Sequence, residues 1–91
     1  MLVEWRPRAI RRLDAIHERI QEDSITAADF VFDAIVAAAA ALPDHPYVYR
    51  EGRVPNTREM VVLPNYIVVY RIKTDRIIVL NVLHARRRYP T

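Results

Sequence analysis

The sequence predicts an α+β fold of order β-α-α-β-β-β, with an N-terminal helix hairpin packed on one face of a twisted antiparallel sheet. Two patterns predict it. Apolar residues recur at spacings of three and four through the N-terminal half, and β-branched and aromatic runs separated by short turn signals fill the stretch from Arg58 to His84. Length sets the scale: 91 residues suffice for one core, so residues 1–91 are read as a single domain.

Leu2-Val3-Glu4-Trp5 alternates in part and is closed by Pro7, which reads as an edge strand. Pro7 suits a first helical turn, where its missing N–H costs nothing. Ile10, Leu13, Ile16 and Ile20 then form one stripe of a first helix that ends near Glu22–Asp23. Thr26 followed by Asp29 resembles a capping box and starts a second helix. There Phe30, Ala34, Ala38 and Ala41 share a face, with Ile35 and Leu42 beside it, until Pro43 stops it. So short a connection predicts an antiparallel hairpin.

Pro43, Pro46, Pro55 and the only glycine, Gly52, mark a connecting loop, within which residues 46–49 have the composition of a brief extended piece. Three strand-like runs follow, at 58–63, 65–73 and 76–84, separated by Pro64-Asn65 and Thr74-Asp75. Successive antiparallel pairing is the simplest topology. In the central run Tyr66, Val68, Tyr70 and Ile72 share one face, and Ile67, Val69, Arg71 and Lys73 the other.

Charge is unevenly divided. Residues 1–49 hold five arginines against eight carboxylates, and residues 50–91 hold nine basic side chains against three acidic ones. Thirteen of the 14 basic residues are arginine, whose guanidinium fork suits phosphates and carboxylates, so a polyanionic partner fits the C-terminal half. Cysteine is absent, which excludes disulfides, thiolate metal sites and a cysteine nucleophile. His17, His45 and His84 show no close metal spacing, and no metal or cofactor is expected. Arginines interrupt any N-terminal apolar run, and the apolar stretch at Ile35–Leu42 is far shorter than the roughly 20 residues of a bilayer span. A cytoplasmic protein without a membrane partner is expected.

The run Arg58-Glu59-Met60-Val61-Val62, then Pro64-Asn65-Tyr66-Ile67-Val68-Val69-Tyr70-Arg71-Ile72, resembles the sheet of RelE/ParE superfamily toxins. The ending Val82-Leu83-His84-Ala85-Arg86-Arg87 resembles the ParE-like branch. That resemblance covers essentially the whole chain. It implies the toxin of a type II toxin–antitoxin module, neutralised by a cognate antitoxin with an acidic or partly disordered segment, within a higher-order assembly. ParE-type members act on DNA gyrase, whereas RelE-type members cleave mRNA on the ribosome.

A metal-free ribonuclease needs a base, an acid and cations for the phosphorane charge. The resemblance places Arg58 near the first of two RelE-type lysines, but the second falls on Met60 and the central arginine on Ile67. Arg86 corresponds to a later arginine, and Tyr89 to the terminal tyrosine. Losing one preorganised donor costs roughly 2.7–4 kcal/mol of transition-state stabilisation, so a ParE-like inhibitor is expected rather than a RelE-like ribonuclease. A nuclease would have to draw on Arg58, Arg71, His84, Arg86 and Tyr89. As a binding surface for target or antitoxin, the candidates are Arg71, His84, Arg86, Arg87, Arg88 and Tyr89. For His84 alone, a single structural hydrogen bond at a strand end is favoured over acid–base work.

Overall fold

A computed structural model describes residues 1–86 of the chain. The elements are β1 (Leu2–Trp5), α1 (Pro7–Gln21), α2 (Ile25–Ala40), β2 (Arg50–Glu51), β3 (Arg58–Val62), β4 (Tyr66–Ile72) and β5 (Arg76–His84), with a 3₁₀ turn at Leu42–Asp44. Two helices lie on one face of a five-stranded sheet of order β1-β5-β4-β3-β2. The α+β order read from the sequence is thus the observed one, with a refinement at each sheet edge. β1 pairs parallel to β5 while all other pairs are antiparallel, so the sheet is mixed. The brief extended piece falls at Arg50–Glu51, where it pairs with Glu59 and Arg58, not at 46–49.

Pro7 opens α1, and the Arg6 N–H donates to the Val79 carbonyl at 3.0 Å, so β1 hands the chain to the helix while still bound to β5. Ala9 and Leu13 are buried, and Ile16 packs beside them. Ile10, expected in that stripe, is exposed: the buried row runs through Ala9, one position earlier. α2 starts at Ser24, whose hydroxyl accepts from the Ala27 N–H at 3.1 Å. Thr26 is therefore not the cap. Asp29, its expected capping partner, instead bridges to α1 by accepting from His17 Nε2 at 2.8 Å. The buried row of α2 is Ala28, Ile35 and Ala39, continuing to Leu42 in the 3₁₀ turn, with Val31, Phe32, Ala34 and Ala38 partly buried against it. Phe30, placed on the core face from the sequence, is 64% exposed. Counted through the 3₁₀ turn, Ile25–Asp44 is long and apolar enough to cross a membrane by length and composition, more than the uninterrupted apolar run suggested. In the fold it is the layer that carries Ile35, Ala39 and Leu42 into the core.

The sheet buries Met60, Val62, Val68, Tyr70, Ile77, Val79 and Val82 beneath the helices. On the opposite face Ile67, Val69 and Leu83 form a smaller apolar cluster. Between the pairs Val69↔Asn81 and Tyr70↔Val79, Leu80 is an extra residue on β5. This β-bulge resets the alternation, so that both halves of a nine-residue strand keep an apolar side toward the helices.

Candidate functional site

The predicted site residues fall at two ends of the sheet. At one end Tyr66 pairs with His84. His84 is exposed at the close of β5, meets the Tyr66 ring edge-on at 5.5 Å, and accepts at Nδ1 from the Arg86 N–H at 3.1 Å. The Ala85 N–H donates to the Asn65 carbonyl at 2.7 Å, which folds this corner back on the β3–β4 turn. No described carboxylate bonds to the imidazole. The bond to the Arg86 N–H is made at the strand end, where it holds the chain as it leaves β5. Arg87, Arg88 and Tyr89 lie outside the described residues.

At the other end Arg58 pairs with Tyr70, and Arg71 follows. Arg71 is five residues along β4 from Tyr66, which places these ends roughly 16 Å apart. The two arginines also leave the sheet on opposite faces. Arg58 turns toward the helix side, where its Nη1 donates to the carbonyls of Tyr49 at 2.7 Å and Tyr47 at 3.3 Å. Arg71 lies on the open face, its Nε donating to the Asn56 carbonyl at 3.2 Å. Between the ends, Met60 is 1% and Ile67 5% exposed. Met60 belongs to the cluster under the helices and Ile67 to the one on the opposite face, so these two positions do not face one site. His84 lies at the other end of the sheet from Arg58 and Arg71.

A polar framework invisible in the sequence organises the loop beside Arg58 and Arg71. Glu59 is 2% exposed, an ionisable side chain in an otherwise apolar strand. Its Oε1 accepts from Arg50 Nη2 at 3.0 Å, and its Oε2 from the Arg53 N–H at 3.0 Å and Arg53 Nε at 3.2 Å. Burial alone would raise its pKa. The two Arg53 hydrogen bonds, the Arg53 charge and the Arg50 bond outweigh that and hold it below the ordinary 4.5. Gly52 donates to the Thr57 carbonyl at 2.7 Å. A Cβ there would overlap Thr57 Oγ1, so the hairpin closes around a residue without a side chain.

Tyr70 is fully buried, and its hydroxyl donates to the Pro46 carbonyl at 2.6 Å. Burial raises its pKa, against the pull of the Arg58 charge and with a smaller push from Tyr49. The bond ties the proline loop to the core. Tyr70→Phe is expected to keep the packing, leave the carbonyl without its donor, and lower stability by about 1–2 kcal/mol in urea denaturation. An unchanged midpoint would show that water replaces the hydroxyl. Of the other aromatics, Trp5 and Tyr49 pack at the core margin, whereas Tyr47 stays exposed, its ring 5.3 Å from the Arg58 guanidinium. His45 touches Tyr49, its Nε2 3.5 Å from the phenol oxygen. His17 sits edge-on to Phe32 at 5.6 Å while bonded to Asp29, and so pins the helix hairpin. No group of His, Cys or acidic residues suited to a metal occurs among the described residues.

Sequence reasoning missed Glu59 and Lys73 as members of this region. One signal was present: a lone carboxylate within Arg58–Val62, next to a loop that carries Arg50 and Arg53, needs guanidinium partners if its side is buried.

Comparison with known proteins adds the following. A family model described as ParE toxin of type II toxin-antitoxin system, parDE, matches residues 3–89. The Sinorhizobium fredii protein named "Putative toxin Y4kP" is 41% identical over 90 residues, covering 97% of this chain and 92% of that one. Among solved structures, a chain of the chromosomal ParDE TA system from P. aeruginosa superposes with a TM-score of 0.82 at 22% identity, covering 92% of this chain and 95% of that one. A chain of the toxin–antitoxin complex RelBE2 from Mycobacterium tuberculosis gives 0.67 at 24% identity, covering 91% and 95%. One from the E. coli RelBE toxin–antitoxin complex gives 0.63 at 13% identity, covering 94% and 98%. At these identities the structural likeness speaks for the fold.

Proposed function

We propose that this chain, which belongs to the ParE toxin family of type II toxin–antitoxin systems, arrests growth by binding an essential machine and not by cutting RNA. DNA gyrase is the target suggested by analogy with the family. One observation carries the reading. The two positions that the family resemblance assigns to ribonuclease cations hold Met60 and Ile67, buried on opposite faces of the sheet, and His84 stands at the other end of the sheet from Arg58 and Arg71. A phosphorane at the Arg58–Arg71 end would be out of reach of the His84 imidazole, and one at the His84 end out of reach of those cations. An interface needs no such convergence, and α2 leaves Ile25, Phe30 and Val36 exposed to a partner.

The proposal extends to the partner and the compartment. A cognate antitoxin presents an acidic, partly disordered segment that folds across the open face of the sheet over Arg71 and pairs with the arginines Arg86, Arg87 and Arg88, with His84 and Tyr89 as further contact candidates. The toxin acts in the cytoplasm, where it meets its target.

Two reactions with purified, antitoxin-free protein test this: gyrase supercoiling of plasmid DNA, and mRNA integrity on programmed ribosomes. Supercoiling is expected to be inhibited while mRNA stays intact. His84→Gln is expected to retain toxicity, because its imidazole is not needed for proton transfer. Codon-spaced mRNA cuts with normal supercoiling, abolished by His84→Gln, would overturn the reading.

A further inference from the structure

The loop 52–57 and the adjoining ends of β3 and β4 enclose an open pocket that the interface reading does not use. It has a volume of about 620 Å³, and its lining includes Tyr47, Glu51, Arg58, Arg71 and Lys73. That size is within the range of small-ligand sites, and three cations face one carboxylate. Arg71 is preset: its Nε is held by the Asn56 carbonyl, and Asn56 takes a left-handed backbone (φ 64°) to present it. The outer nitrogens of Arg71 and the Lys73 ammonium have no partner among the described residues. Tyr47 is 68% exposed, with the Arg58 guanidinium against its ring and most of the phenol open.

We infer that this pocket binds single-stranded nucleic acid, with Arg71 and Lys73 taking backbone phosphates and Tyr47 stacking on a base. Guanidinium forks and ammonium point charges are the two usual phosphate ligands. Two residues apart on β4 and its extension, they stand roughly 7 Å from one another, far enough to engage different phosphates. A sequence-tolerant single-strand site combines such a basic groove with an exposed aromatic, which is the composition found here. An acidic peptide fits less well. Peptide affinity rests on apolar anchors sunk into pockets, and Pro55 and Ile72 are the only aliphatic side chains in this lining. An antitoxin segment crossing the open face would compete for Arg71 without filling the pocket.

The test is fluorescence anisotropy of a labelled single-stranded oligonucleotide titrated with the full chain, between about 50 and 200 mM salt. Three variants are compared, each checked for an unchanged melting temperature: Arg71→Gln with Lys73→Gln, Tyr47→Leu, and Arg8→Gln with Arg11→Gln on α1 as a charge-matched control. The pocket double variant is expected to bind at least about ten-fold more weakly, and its log–log salt slope to fall by about 1.4, or 0.7 for each lost phosphate contact. Tyr47→Leu is expected to weaken binding about ten-fold and leave the slope intact, because stacking releases no counterions. The α1 control should match the unmodified chain. Equal losses in pocket and control variants would overturn the site, since binding would then follow net charge. So would a glutamate-rich peptide that binds the pocket in place of the oligonucleotide.

Discussion

Replacing Ile35 with alanine is expected to destabilise the protein by about 2–5 kcal/mol. Ile35 has no exposed surface and belongs to the buried cluster that joins α2 to the sheet. The helices pack over strands that are themselves filled with branched side chains, so the space vacated by three carbons cannot close without moving Val or Ile side chains off their rotamers. For a domain of this size each kcal/mol shifts the melting temperature by about 4–8 °C, and a fall of at least roughly 10 °C should be plain in thermal denaturation. Phe30→Ala provides the contrast. Phenylalanine is the larger side chain, but this one is largely solvated, and its removal is expected to change stability by no more than about 0.5 kcal/mol. Equal losses in the two variants would mean that α2 is rotated by about a quarter-turn from the orientation described.

That pair of residues also marks where the sequence stopped being legible. Prolines and turn residues delimited the helices and the three long strands well, because Pro7, Pro43 and Pro64-Asn65 act locally through φ and a missing N–H. The rotation of α2 was not legible. Between Ile25 and Ala41 almost every residue is apolar, so a stripe through Phe30 reads as well as one through Ile35, and only packing against α1 and β3 decides. The start of α2 was missed for a similar reason. Ser24 and Thr26 are both good caps, and Asp29 was free to pair with either the helix start or His17. The parallel pairing of β1 with β5 depends on a partner more than seventy residues away, which no local pattern specifies.

The functional region divides in the same way. Residue identity at Met60 and Ile67 was legible, but not that the two side chains are buried on opposite faces of the sheet. The separation of Arg58 and Arg71 onto opposite faces was written in their strand parity, but each was weighed singly as a cation. What the sequence hid was the loop framework, in which Glu59, Arg50, Arg53, Gly52 and Thr57 hold residues 50–57 in one shape. These contacts span five to nine residues and combine backbone with side-chain donors, a scale that neither helical nor strand periodicity reports. The same framework presents Asn56 to Arg71, so the pocket at this end is shaped by residues that do not carry its charge.

Glu59→Gln, at the centre of that framework, is expected to cost about 1.5–3 kcal/mol near neutral pH, the range for hydrogen bonds to a charged group. The amide preserves shape but accepts through one atom only, so either Arg50 or the Arg53 pair loses its acceptor, and the carbonyl that remains is neutral. The arginines are partly solvated, with side chains 59% and 42% exposed, which keeps the penalty below that of a fully buried pair left broken. The effect carries a pH signature. Glu59 is depressed below its ordinary 4.5 by its Arg53 and Arg50 contacts despite burial, so the folded state binds this proton less readily than the unfolded chain does. Its contribution is therefore fully present above about pH 4.5 and is lost as pH falls through the lower folded value. Urea midpoints of the two proteins should differ clearly near neutrality and converge as pH falls below 4.5 through the lower folded value, where the unmodified carboxyl becomes protonated as well. If the gap stays constant across that range, the loop is held by the shape of the side chain and not by its charge.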